Sequence, residues 1–228
     1  MQKNRKTPEL HKRTSVQILV SAGTDESVRI YNWAEKKESG QLHFHEGSVT
    51  CLASWRKQYL LTGSADTKVA LWRMSDWSLV HVFKGHKGAL LSLVVHPSGR
   101  FAMSLSADGV LSMLDLMRGV TAVSHTVGTS LSLAMSSDGE HVSILRLASV
   151  EVIKLANAST KTFEVGNDRE SPTCVSFIDD ASLLVGDATG RIHFAEVRKP
   201  AVALDLQPAL EASSQLEDRR ASPAAGVL

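Results

Sequence analysis

The chain is poor in the features that mark several large protein classes. Two cysteines in 228 residues are too few for a disulfide framework and suit a reducing compartment. No run of about 18 apolar residues occurs, which excludes a membrane-spanning helix, and the amino terminus has no long apolar stretch ending in a small-residue cleavage site. The chain is therefore expected to be soluble and intracellular. A formal charge of +1 gives no whole-molecule attraction to nucleic acid or anionic lipid. There is no GxSxG elbow, no phosphate-cradling glycine loop and no paired-carboxylate motif, so the usual signatures of acyl transfer, nucleotide hydrolysis and glycoside cleavage are missing.

What the chain does have is apolar content, 43 % of residues, enough to bury a sizeable core. Its one charge asymmetry is a basic leader: Lys3, Arg5, Lys6, Lys12 and Arg13 stand against Glu9 before the first apolar run. Residues 1–14 are expected to be a disordered leader, 15–200 the folded region, and 201–228, rich in Ala, Ser, Glu and Pro, a disordered low-complexity tail.

Aligned on itself, the chain repeats with a period near 41. Asp25, Asp66 and Asp108 fall 41 and 42 residues apart, and six residues after each comes Tyr31, Trp72 or Leu114. Upstream, "HEGSVTCLASW" from His45 matches "HKGALLSLVVHPSG" from His86, again 41 apart, with Gly47 and Gly88 in register. A weaker copy starts at Thr126, and a last one contains "SPTCVSF", which puts Cys51 and Cys174 at the same repeat position three units apart. Short apolar or alternating runs cut by "PSG", "DG" and "SDG" predict four strands per unit. In the unit from His86 they fall near residues 89–95, 101–106, 110–116 and 121–125.

Unit length, the Gly-His opening, the turn aspartate and the third-strand aromatic match the WD-repeat signature, and the predicted fold is an all-β propeller with four to five blades visible. By that resemblance, His45, Ser64, Asp66 and Trp72 form one hydrogen-bonded set, Asp25 and Tyr31 are its remnants in the first unit, and the His86 and Asp108 set lacks its aromatic. Because these residues recur at the period, their expected role is structural: catalysis needs one unique trio, and here the candidates come in copies. His96 is expected at an exposed turn. His43 and His45 are two apart with no second cluster at ligand spacing, so no metal and no cofactor are expected. Cys51 and Cys174 are expected to be small core residues too far apart to bridge. Trp77, in "MSDWSLV", is expected either as a partner contact or packed against its own blade, and the basic side chains of the leader are the other candidate partner contacts.

Residues 63–119, followed by a degenerate unit and then "TCVSF" with "GDATGRIHFAEV", resemble the PAK-interacting WD-repeat proteins, a family of large-subunit ribosome assembly factors that includes a yeast maintenance-of-killer protein. The family's propeller has seven blades, so the shorter array here is expected to be truncated. The resemblance implies a non-catalytic scaffold in nucleolar maturation of the large ribosomal subunit and rRNA processing, with pre-ribosomal proteins and rRNA as partners in the nucleus and nucleolus. It implies, as the alternative, an adaptor that binds and restrains p21-activated kinase. Neither role involves a membrane or a small-molecule substrate.

Overall fold

The computed structural model describes residues 17–165 and 171–197, and within them every regular element is a β-strand. The first sheet holds β1 (Ile18–Ala22), β2 (Ser27–Asn32) and β3 (Lys37–His43). The second holds β4 (Val49–Trp55), β5 (Tyr59–Ser64), β6 (Val69–Arg73) and β7 (Ser78–Phe83). The third comprises β8 (Leu90–Val95), β9 (Phe101–Ser106), β10 (Val110–Asp115) and β11 (Val120–Thr126), close to the four strands expected there. The fourth comprises β12 (Ser132–Met135), β13 (His141–Leu145), β14 (Ser149–Lys154) and β15 (Ser159–Glu164). The fifth has β16 (Pro172–Phe177), β17 (Ser182–Asp187) and β18 (Ile192–Glu196).

Each sheet is an antiparallel meander whose neighbours in space are neighbours in sequence. The five stack as blades along an arc that does not close into a ring. The leader and the tail lie outside the described residues.

Stacking explains why the second strand of a blade reads as continuously apolar rather than alternating: its two faces each meet another sheet. Leu60 packs in the core shared with the first sheet, whereas Leu61, the next residue, packs in the core shared with the third. Met103, Leu105, Leu133 and Ile144 join the third sheet to the fourth, and Leu145, Val150, Leu183 and Val185 join the fourth to the fifth. The outermost strands face water; all seven residues of β11 are exposed.

Polar contacts between blades recur at one period. Thr50 donates to the Leu90 carbonyl at 2.6 Å, and Ser92 accepts the Leu133 N–H at 3.1 Å. The position at the end of the first strand is held in the same way by different chemistry. The Trp55 indole donates to the Pro97 carbonyl at 2.9 Å and lies over Gly99; the His96 ring lies over Gly139; and the Ser137 hydroxyl bonds Asp180. Gly99 and Gly139, both at positive φ, leave room for those rings where any Cβ would collide. His96 is thus half-buried at a blade junction rather than a free turn residue, its Nδ1 bonded to the Ser98 hydroxyl at 2.8 Å.

Candidate functional site

Sheet pairing aligns the blades residue by residue. Thr62, Ser104, Ile144 and Val185 occupy one position, because they face Leu52, Leu93, Leu133 and Val175 across the first two strands of successive blades. This position runs from hydroxyl to aliphatic along the arc, and the polar chemistry of each blade follows it.

In the second blade the bonds form a chain. Trp72 Nε1 donates to Thr62 Oγ1 at 3.1 Å, the hydroxyl meets His45 Nε2 at 2.7 Å, and His45 Nδ1 meets an Asp66 carboxylate oxygen at 3.0 Å. A hydroxyl that accepts from the indole gives its own hydrogen to Nε2. The imidazole then carries its hydrogen on Nδ1 and donates to Asp66. His45 is 6 % exposed, and Phe44 stands edge-on to both rings. Burial works against the Asp66 charge, but the Lys68 N–H, His45 and the Glu46 N–H outweigh it and hold the carboxyl below its ordinary range. The residue that joins the two rings is therefore Thr62, not the expected Ser64. Ser64 donates to the Gly47 carbonyl at 2.8 Å and accepts the Asp66 N–H, tying the turn to the loop after His45. Gly47 sits so close to that turn that a Cβ there would stand 3.0 Å from the Asp66 nitrogen; at Gly88 the Asp108 nitrogen would be 2.7 Å away.

The third blade keeps a shorter set. His86 Nε2 meets Ser104 Oγ at 2.8 Å and Nδ1 meets Ser106 Oγ at 2.7 Å, while Ser106 donates on to Asp108. Asp108 also accepts the Lys87 and Val110 N–H groups; these donors outweigh the burial that would raise its carboxyl, so that it too is lowered. Burial pushes the His86 imidazole down, with Asp108 opposing. Leu114, 1 % exposed, fills the aromatic position with hydrocarbon alone.

Among the described residues the fourth blade has no such set: Ile144 replaces the hydroxyl, and Arg146 pairs with Glu151 of β14. In the fifth, a pair that the sequence reading missed takes over. Asp187, with its side chain fully buried, accepts His193 Nε2 at 2.9 Å together with the Thr189 and Arg191 N–H groups, and is driven well below the usual carboxylate range, first by His193. Asp187 is the register equivalent of Ser64, and His193 lies one residue into β18; that spacing was a usable signal.

The first blade assembles no set among the described residues. Asp25 is exposed and pairs with Arg29 at 2.8 Å, and Tyr31 is half-buried. His43 is exposed whereas His45 is buried, since β3 ends between them and the shared face is lost. One ligand atom each of Asp138, Glu140 and His141 come within 4.8 Å of one another, but Asp138 caps its own turn through the Glu140 N–H and Lys154 stands 3.7 Å from Glu140.

The cysteines share a register, facing Gly63 and Gly186. Cys51 is half-buried, and burial pushes its thiol up to about 11. Cys174 is exposed, contrary to the core role expected, because no described sheet covers that side of the fifth blade. Trp77 is half-buried against the core between the first two blades; the large exposed indole is Trp33, 59 % accessible. Lys3, Arg5, Lys6, Lys12 and Arg13 lie outside the described residues.

The two direct imidazole–carboxylate pairs thus each tie parts of one blade together, loop to turn for His45 and Asp66 and strand to strand for His193 and Asp187. This defines a repeat protein of the propeller class, built from WD repeats. A family profile described as "WD domain, G-beta repeat" matches residues 36–73 and 77–115. The chain is 28 % identical over 183 residues to "p21-activated protein kinase-interacting protein 1-like" of Danio rerio, covering 79 % of this chain and 49 % of that protein. It is 32 % identical over 178 residues to the protein of the same name in Gallus gallus, covering 77 % and 47 %. It is also 34 % identical over 119 residues to "Protein MAK11" of Saccharomyces cerevisiae, covering 45 % and 29 %. The chain spans about half the length, or less, of these relatives. No helix among the described residues is long and apolar enough to cross a membrane.

Proposed function

We propose that the chain acts as a non-catalytic scaffold in nucleolar maturation of the large ribosomal subunit and in rRNA processing. The observation that carries the non-catalytic part is the chain of bonds from Trp72 through Thr62 and His45 to Asp66: it commits the side chains a hydrolase would need to holding a blade together. The ribosomal part is supported by the likeness to Protein MAK11 together with the run of a complete blade, a degenerate blade and a "GDATGRIHF" blade. Its partners on this reading are large-subunit precursor proteins, with rRNA phosphates met by the basic leader.

The test is gradient sedimentation of the tagged 228-residue chain from cells, probed for large-subunit precursor RNA. Co-migration with precursor particles that weakens as salt rises is expected; confinement to light fractions, where a full-length relative sediments with the particles, refutes the assignment for this chain. A second reading, an adaptor that binds and restrains p21-activated kinase, is favoured by the names of the vertebrate relatives. Capture of the kinase regulatory domain by the purified chain supports it, and absence of capture at micromolar concentrations removes it.

A further inference from the structure

Blades two, three and four each begin with an inner strand, but the first sheet starts at β1, which lies at the sheet's edge among the described residues. The place beside β1 is a groove of about 450 Å³, a volume within the range that binds ligands. Its floor is Ile18, 39 % exposed, with Val20 on the same face of β1, and its far wall is Leu52 of β4. The repeat shows what a filled place looks like. Leu93, the register equivalent of Leu52, is 6 % exposed because β4 lies in front of it, whereas Leu52 is only half-buried. The groove is therefore shaped for a strand.

Its electrostatics are one-sided. Arg56 and Lys57 line it at the end where β4 stops, no acidic side chain among the described residues lines it, and Arg56 is held with its guanidinium 4.8 Å from the Trp55 ring centre. Trp33, largely exposed, pairs its N–H with the Gln17 carbonyl at the same end. Inner strands run antiparallel to their neighbours, as β4 does to β5, so an added strand reaches Arg56 and Lys57 with its carboxyl-terminal end.

From this we infer that the groove beside β1 takes an extended segment of a protein partner that alternates small and aliphatic residues and ends in carboxylates. Main-chain bonds to the β1 edge supply affinity, Ile18, Val20 and Leu52 receive the aliphatic side chains, and the two cations read the acidic end. The inference deepens the scaffold reading, on which it rests, by giving the kind of partner and its surface.

The probe is a fluorescein-labelled ten-residue peptide of alternating Val and Ser ending in two Glu, with a twin ending in two Lys. Anisotropy with the full chain is expected to show the acidic peptide binding at least tenfold tighter than its twin, and a chain carrying both Arg56→Glu and Lys57→Glu, with unchanged circular dichroism, is expected to reverse that preference. A photo-cross-linking amino acid at position 18 is expected to attach to the peptide. No binding, equal binding of the twins, or cross-linking of position 18 to residues 1–16 or to a second copy with the peptide excluded overturns the assignment. An intact sedimentation profile beside absent peptide binding sinks the groove and spares the scaffold role. Selective peptide binding beside a lost profile upholds the groove and sinks the ribosomal assignment.

Discussion

The second and fourth blades share a backbone plan and differ in what fills it. Both are four-stranded meanders in the same order, yet the position that is Thr62 in one is Ile144 in the other. Where the second blade buries an indole, a hydroxyl, an imidazole and a carboxylate in one bonded chain, the fourth has Ile144 at the hydroxyl position and half-buried Ile153 at the indole position. A blade therefore forms without the polar set. Swapping a whole bonded group for hydrocarbon of similar shape is close to neutral, whereas removing one member strands the others. The set behaves as a unit that is kept whole or dispensed with, and the third blade, which has lost only its aromatic, rebuilt the remainder around two serines, Ser104 and Ser106.

The comparison extends to the two glycines that face the cysteines. A Cβ at Gly63 would stand 2.6 Å from Cys51 Sγ and 3.0 Å from Leu90 of the next blade, whereas at Gly186 only Cys174 Sγ is near, at 2.7 Å. Gly63→Ala is expected to cost about 2–3 kcal/mol, the scale of overpacking, and Gly186→Ala under half of that, because the exposed Cys174 can turn aside. Equal costs in chemical denaturation would remove the distinction between a covered and an open blade.

Next in size are the turn aspartates. Asp66→Ala takes the partner from a buried imidazole and two N–H groups and is expected to cost about 2 kcal/mol. Asp108→Ala leaves His86 bonded to both serines and is expected to cost about 1 kcal/mol or less. Thermal unfolding of the two variants in parallel checks the ranking. In the same two turns, Thr67 holds φ at 69° where the third blade has Gly109 at 76°. A β-branched residue is strained there, so Thr67→Gly is expected to stabilise the chain by about 1 kcal/mol.

The smallest effect is graded with pH. The His86 pKa is lowered by burial, so the unfolded chain binds its proton first; stability present above the ordinary value of 6.5 is lost as pH falls below it. Asp66 and Asp108 are lowered as well, and their contribution, present above 3.8, is lost as pH falls further. The unfolding temperature is thus expected to drop in two stages on acidification, and His86→Gln is expected to abolish the first.

The period, the strands and the turn aspartates were legible because they depend on spacing alone. The choice between Thr62 and Ser64 was not: two residues apart on β5, they share a face, and alternation cannot separate them. What decides is reach, since the Trp72 indole extends along the sheet to Thr62 while Ser64 lies beside the turn. The blade junctions were hidden for another reason. Trp55, His96 and Ser137 do one job with three chemistries, and a repeat search reads identity rather than position. In the last blade that position is Ile178, 57 % exposed.

The central claim, that the repeated histidines and aspartates fasten blades as units, is tested most directly by a double-mutant cycle of Thr62→Val and Asp66→Ala in urea unfolding. Thr62→Val alone leaves the Trp72 and His45 nitrogens without a partner and is expected to cost about 2–4 kcal/mol. If His45, Thr62 and Asp66 act as one unit, the double variant falls short of the summed losses by about 1 kcal/mol or more. Strict additivity, or a Thr62→Val chain as stable as the parent, would contradict it.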